Sequence, residues 1–314
     1  MYPLSLKSEF SKMEPVEAAV KLQKQKAKSI VSIYLELSKL NILSLVLVAT
    51  FLGYYIGNNG IGSWILLTST LMGTAMTSAG AGALNHYFER KPDKLMNRTM
   101  NRPLPAGTIS PLSVVIYGVV MVVFGSIILF VKVNMLTGFL SLLTAFLYIA
   151  IYTPLKRITW LNTSIGSIPG AMPIIGGWTA ATGEIGTMAW ILFGIMYLWQ
   201  HPHFYAIAWM CKDDYAAAKF KMLPVIEPDG TRTIRQIFWH LLLMIPISLL
   251  PVVEGSLGAI YLVGVTIISC AFFLSAVPLA KNQSHKSALL LLKASVLYLP
   301  ALLIIIIIDL GLKT

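Results

Sequence analysis

The sequence predicts an all-α, polytopic membrane protein, and three observations carry that expectation. Of its 314 residues, 56% are hydrophobic and 12% are charged, roughly half the charged fraction of a soluble domain. Seven stretches contain no Asp, Glu, Lys or Arg: 40–88, 103–131, 133–155, 158–183, 185–211, 236–253 and 255–280. About 20 apolar residues cross a bilayer as a helix, so these runs imply repeated crossings. The basic residues, finally, gather on alternate connections. Together these features exclude a disordered chain and an ordinary water-soluble enzyme.

Nine spans follow in order, at about 40–57, 64–88, 112–131, 135–153, 163–180, 187–209, 236–253, 257–279 and 288–309. The first long run holds two of them, because Gly57-Asn58-Asn59-Gly60 is a turn signal inside it. Of the 24 Lys and Arg, 22 lie before the first span or around the connections after the second, fourth, sixth and eighth, which leaves Lys132 and Lys313 opposite. That asymmetry places the amino terminus and those connections in the cytoplasm, and an odd span count puts the carboxyl terminus outside. The net charge of +11 is read as topology together with an anionic ligand, not as nucleic-acid binding. Residues 1–38 form a cytoplasmic tail in which a basic segment lies on the inner leaflet or is simply solvated. Residues 39–314 form the transmembrane domain. The amino-terminal segment shows no cleavable signal. Cys211 and Cys270 are too far apart in sequence to suggest a redox pair or metal clip and are expected to be buried thiols.

Acidic residues are scarce, and five of the thirteen fall in two clusters on the expected cytoplasmic face: Glu89 and Asp93, then Asp213, Asp214 and Glu227. Ionised groups near membrane depth are expensive unless they line a cavity or find partners. Asn85, Glu89 and Asp93 are spaced by four, which puts three oxygen-bearing side chains on one helical face. Pro92 is expected to end or kink that helix, so that Asp93 reaches the same point from a loop. Hard oxygen donors that leave room for water and phosphate suit magnesium. Arg98 and Arg102 add planar forks matched to phosphate oxygens. Mixed acids and bases of this kind describe a metal-bridged diphosphate pocket, or a loop whose acids merely pair with its own bases. Lys156 and Arg157 follow the fourth span and serve phosphate neutralisation or simply the orientation rule. His201 and His203 end the sixth span, and their two-residue spacing prevents both from meeting one ligand on one helical face. His86 is read as structural.

Three blocks carry a resemblance that covers the chain from about residue 38 to the last span. They are Asn85…Glu89…Asp93-x-x-Met96-x-Arg98-Thr99-x-x-Arg102-Pro103, then Tyr152-Thr153-x-Leu155-Lys156-Arg157-x-Thr159-x-x-Asn162, and Trp199-Gln200-x-Pro202-His203-Phe204…Asp214-Tyr215…Met222-Leu223-Pro224. With them the sequence resembles the UbiA-type intramembrane prenyltransferases, and the third block is similar to their haem-modifying branch. The resemblance implies nine helices around a central cavity with a cytoplasmic cap, in a bacterial inner membrane. It implies farnesyl diphosphate and haem B as substrates, haem O and diphosphate as products, and hand-off of the haem to a haem A synthase or a terminal oxidase. Under it, Asn85, Glu89 and Asp93 hold one Mg²⁺, and Asp214 with Asp213 holds another. Arg98, Arg102, Lys156 and Arg157 neutralise the leaving group, Tyr152 shields the allylic cation, and His201 or His203 contacts haem. The chain departs from the pattern at Glu89, where the family usually has Asp, and at Ala217 and Ala218, where many members complete a second Asp-x-x-x-Asp. It also has Lys219 close to where the haem branch commonly has Gly. Other readings are a sister prenyltransferase for a quinone or chlorophyll precursor, and a transporter.

Overall fold

The computed structural model describes residues 29–312, and these are helical with mostly short connections and one long one, 94–110. Residues 1–28, which hold most of the expected amphipathic tail, and Lys313 lie outside the described residues. A short α1 (Ile30–Leu37) leads into nine longer helices. These are α2 (Leu40–Gly57), α3 (Trp64–Asp93), α4 (Pro111–Lys132), α5 (Met135–Leu155), α6 (Asn162–Thr182) and α7 (Thr187–Met210), then, after the short α8 (Lys212–Ala217) and α9 (Leu223–Ile226), α10 (Thr231–Val253), α11 (Ala259–Asn282) and α12 (His285–Gly311). Each expected span falls on one of them. Six, α2, α4, α5, α10, α11 and α12, are long and apolar enough to cross a membrane. Helices α3, α6 and α7 are equally long; α3 and α7 carry polar side chains of the site described below, and α6 is rich in Gly, Pro, Ser and Thr.

The helix starts follow local chemistry. Ser63, Ser110, Asn134 and Ser284 each accept a hydrogen bond from the backbone N–H three residues on, and thereby cap α3, α4, α5 and α12. Pro111 then occupies the first position of α4, where its missing N–H is harmless. Pro92, by contrast, does not end α3. The helix runs through it to Asp93, because in the last turn the loss of one donor disturbs little beyond it. A π-helical segment at Leu147–Tyr152 interrupts α5. Thr153 Oγ1 donates to Tyr148 O at 2.8 Å across the widened turn, and Pro154 next to it has no N–H with which to restore the regular ladder. Widened turns of this type recur at functional sites, and here one brings both Tyr148 and Tyr152 to the cavity wall.

Small residues bring the helices together, as expected where lipid leaves little hydrophobic drive between them. Gly73 and Gly80 of α3 meet Gly125 and Gly118 of α4 backbone to backbone. Gly53 and Gly177 do the same between α2 and α6, where a Cβ on Gly177 would sit 1.9 Å from Thr50 O. Gly177→Ala therefore forces the two helices apart. It is expected to destabilise the fold by about 1–3 kcal/mol, read as a lower thermal midpoint in detergent. The largest core cluster joins α2, α6 and α7 to α10, α11 and α12. Cys270 does not belong to it: the thiol is exposed on the outside of α11, and Cys211 is half-buried, against the expectation that both are buried. Buried Asp309 of α12 accepts from Gly258 N at 2.6 Å and Tyr261 N at 3.0 Å, so a neighbouring helix supplies the cap that α11 lacks.

Candidate active site

Helices α2 to α7 enclose a cavity of about 370 Å³ whose wall is mostly apolar and whose charge is confined to one end. The last two turns of α3 build that end. Asn85, Glu89 and Asp93 share one face, as their spacing predicts, and all three are buried. Each has a basic partner from a different part of the chain. Lys156, just past α5, donates to Glu89 Oε1 at 2.7 Å. Arg102 donates to Asp93 Oδ2 at 3.0 Å. Lys39, between α1 and α2, donates to Asn85 Oδ1 at 2.5 Å, while the Asn85 amide donates to Thr153 Oγ1 at 2.8 Å.

Such interleaving is how ionised groups persist away from water. Burial disfavours the charge on Lys156, but the adjacent Glu89 carboxylate prevails and holds its pKa well above the usual lysine value. Lys39 shows the opposite balance. Its burial, reinforced by the neighbouring Lys156 and Arg102 charges, outweighs the attraction of Glu89 and lowers it to about 7.

Of the residues singled out in the sequence, Glu89, Asp93, Arg98, Arg102, Tyr152, Lys156 and His203 line this one cavity. The structure does not bring the others to it. Asn85 lies behind Glu89 and Asp93, with its carbonyl oxygen taken by Lys39. Arg157 is exposed. His201 is buried between α6 and α7, against Ser164. Asp213 points to solvent. Asp214 accepts from the backbone N–H of Asn97 at 2.9 Å and of Arg98 at 3.3 Å, so its carboxylate ties the segment after α7 to the segment after α3. Lys221 N donates to Lys156 O at 2.6 Å and fastens the same lid to the end of α5. Two loops thus close over the charged end, with Met96, Phe220 and Met222 packed between them.

Three residues of the site escaped the sequence reading. Lys39 reads along the chain only as a topological charge, since nothing local marks one lysine among many. Tyr148 came to the wall through the π turn. His86, read as structural, has Nδ1 3.9 Å from Asp93 Oδ2. Its separation of seven residues, two helical turns, is the signal that was available. The lid carries a further departure from sequence expectation. Lys219 adopts φ 58° just after α8, a left-handed conformation that favours glycine. Lys219→Gly is expected to stabilise the protein by about 1 kcal/mol, visible as a raised thermal midpoint with unchanged turnover.

A divalent cation fits the charged end. Asp93 Oδ1 is buried against the cavity and has no hydrogen-bond partner among the described residues, a costly state for a carboxylate oxygen unless a ligand completes it. Glu89 contributes a second carboxylate to the same wall. No group of three or more His, Cys, Asp or Glu converges among the described residues, so the protein offers an incomplete set of hard oxygens. Magnesium commonly takes such a set, with phosphate and water supplying the rest.

The UbiA prenyltransferase family profile matches residues 46–297. The chain belongs to the UbiA prenyltransferase family. Among curated relatives of this UbiA protein, the protoheme IX farnesyltransferase of Solibacter usitatus is 40% identical over 285 residues, covering 88% of this chain and 98% of the relative. The protoheme IX farnesyltransferase of Salinibacter ruber is 43% identical, again over 88% of this chain and 98% of its own length. Solved structures share the fold. Digeranylgeranylglyceryl phosphate synthase superposes with a TM-score of 0.74 at 17% identity, over 89% of this chain and 98% of its own. A UbiA homologue from Archaeoglobus fulgidus bound to DMAPP and Mg²⁺ gives 0.61 at 15% identity, over 87% and 98%. Family membership and six membrane-length apolar helices make this UbiA chain an integral membrane protein.

Proposed function

We propose that the chain transfers a farnesyl group from farnesyl diphosphate to a vinyl group of haem B, with addition of water, to give haem O and diphosphate. The observation that carries this reading is the near full-length similarity to protoheme IX farnesyltransferases at 40–43% identity. The charged end of the cavity takes the diphosphate and the apolar remainder takes the isoprenoid tail, where each buried methylene contributes roughly 0.8 kcal/mol. The transmembrane domain begins at residue 39, in a bacterial inner membrane, with the charged end facing the cytoplasm. That orientation follows from the asymmetry of Lys and Arg.

Glu89 and Asp93 would hold Mg²⁺, which when bound neutralises diphosphate charge and makes it a better leaving group. Arg102, Lys156 and Arg98 surround the same end and stabilise the negative charge that grows on oxygen as the allylic carbon–oxygen bond breaks and its electron pair leaves with diphosphate. Asn85 supports this set from behind, held by Lys39 on the cavity wall. Asp214 acts on it indirectly, by keeping the Arg98 segment closed over the mouth. Tyr152 and Tyr148 line the same end, with Lys156 Nζ 4.6 Å from the Tyr152 ring centroid and Lys39 Nζ 6.0 Å from that of Tyr148, and such faces stabilise cations. The vinyl π electrons then form the new carbon–carbon bond. Water captures the resulting carbon cation and loses one proton, which completes the hydroxyethylfarnesyl group. The haem passes on to an enzyme or oxidase that uses haem O.

Purified protein supplied with farnesyl diphosphate and either haem B or 4-hydroxybenzoate tests the reading by mass spectrometry of the products. Farnesylated, hydrated haem is expected. A prenylated benzoate with unmodified haem would assign the chain to the quinone-precursor branch instead. Stripping divalent cations with EDTA is expected to stop turnover and added Mg²⁺ to restore it; undiminished turnover in excess EDTA removes the metal from the scheme.

A further inference from the structure

The two histidines near the end of α7 are held in opposite ways. His201 Nδ1 lies 2.8 Å from Tyr197 O, which can only accept, so Nδ1 carries the ring proton. Its Nε2 then accepts from Ser164 Oγ at 3.1 Å, and the ring stacks on His240 with centroids 3.7 Å apart. Both nitrogens are occupied. His203 Nδ1 lies 2.8 Å from Ser295 Oγ on α12. That hydroxyl donates its single hydrogen to Leu292 O at 2.6 Å, so towards His203 it can only accept. Nδ1 must therefore hold the proton, and Nε2 is an unprotonated lone pair. Among the described residues Nε2 receives no hydrogen bond and is not sealed within protein, and His203 lines the cavity. Trp199, one turn earlier, stacks on the imidazole at 5.2 Å and anchors its own Nε1–H on Ser295 O at 2.9 Å. Ser295 thus fixes both rings.

We propose that His203 Nε2 is the axial ligand to the iron of the haem substrate, and that Ser295 is its positioning residue. This rests on the farnesyl-transfer reading above. A neutral imidazole whose other nitrogen donates to a fixed acceptor is the usual form of a metal-ligating histidine, with tautomer and ring orientation set by that hydrogen bond. Met196, Met172 and Phe204 line the same cavity and supply the soft apolar surface a porphyrin face requires. Ligation anchors the acceptor at its centre and leaves its vinyl-bearing edge to meet the allylic carbon.

Resonance Raman spectroscopy of the full-length protein with ferrous haem B reads the bond directly. The parent protein is expected to show an iron–histidine stretch. His203→Ala should lose it, and His203→Cys, loaded separately with ferric haem B, should show a thiolate-ligated spectrum. Ser295→Ala should keep the band but weaken haem binding about tenfold. His201→Ala should keep the band. Farnesyl diphosphate binding, measured on each variant, is expected to be retained and shows that the fold survives. A stretch that persists in H203A, or disappears in H201A, overturns the assignment. So does an H203A protein that loses turnover while its haem spectrum is unaltered, because His203 then serves as a base and not as a ligand. A parent protein that binds farnesyl diphosphate but never haem B overturns the farnesyl-transfer reading itself.

Discussion

Asp93→Ala is expected to reduce turnover by about 10²–10³-fold or more while leaving the protein folded and inserted. Asp93 is the residue on which the polar end converges: one oxygen is paired to Arg102, and the other is buried and unpartnered. Removing the carboxylate deletes the orphan oxygen along with the paired one, and Arg102 is sufficiently exposed, at 24%, for water to take over its solvation. The stability loss should therefore be small beside the catalytic loss. Steady-state turnover and a detergent thermal melt separate the two effects. Near-parental turnover in the variant would mean that the oxygen set on α3 does not hold the metal.

Lys156→Ala is expected to damage both properties at once. Its ammonium is 2.7 Å from Glu89, with side-chain exposures of 14% and 7%, so truncation strands a buried carboxylate. Breaking such a pair costs about 3–5 kcal/mol. Adding Glu89→Gln to Lys156→Ala removes the stranded charge and is expected to recover most of the thermal midpoint. It should recover none of the activity, because the cation proposed to neutralise phosphate and a carboxylate proposed to hold the metal are both gone. Activity that returns with stability would show that the pair only supports the fold.

Much of this site was legible along the chain because one helix writes it. Asn85, Glu89 and Asp93 are related by the helical repeat alone, and α3 places them on one buried face. Asp214 was legible as a residue of the site's neighbourhood but not in its role. An aspartate near basic residues suggests a metal as readily as a backbone clamp, and only the approach of the Asn97–Arg98 turn selects the clamp. Lys39 illustrates the reverse. It lies 46 residues before Asn85, in a segment where lysines are common, and no local period connects the two. The choice between His201 and His203 likewise depended on Ser164 and Ser295, which lie on other helices.

Composition and periodicity alone determined that this chain is a bundle of apolar helices, and the spacing along α3 determined which acidic residues face together. Those properties depend on residues a few positions apart, joined by the helical repeat. Packing decided the rest: which of many cations meet the two carboxylates, which aspartate secures the lid, and which imidazole keeps a lone pair for the cavity. Each of these depends on close approach between helices distant in the chain, set by where glycines let backbones touch, and no short stretch of sequence encodes that distance.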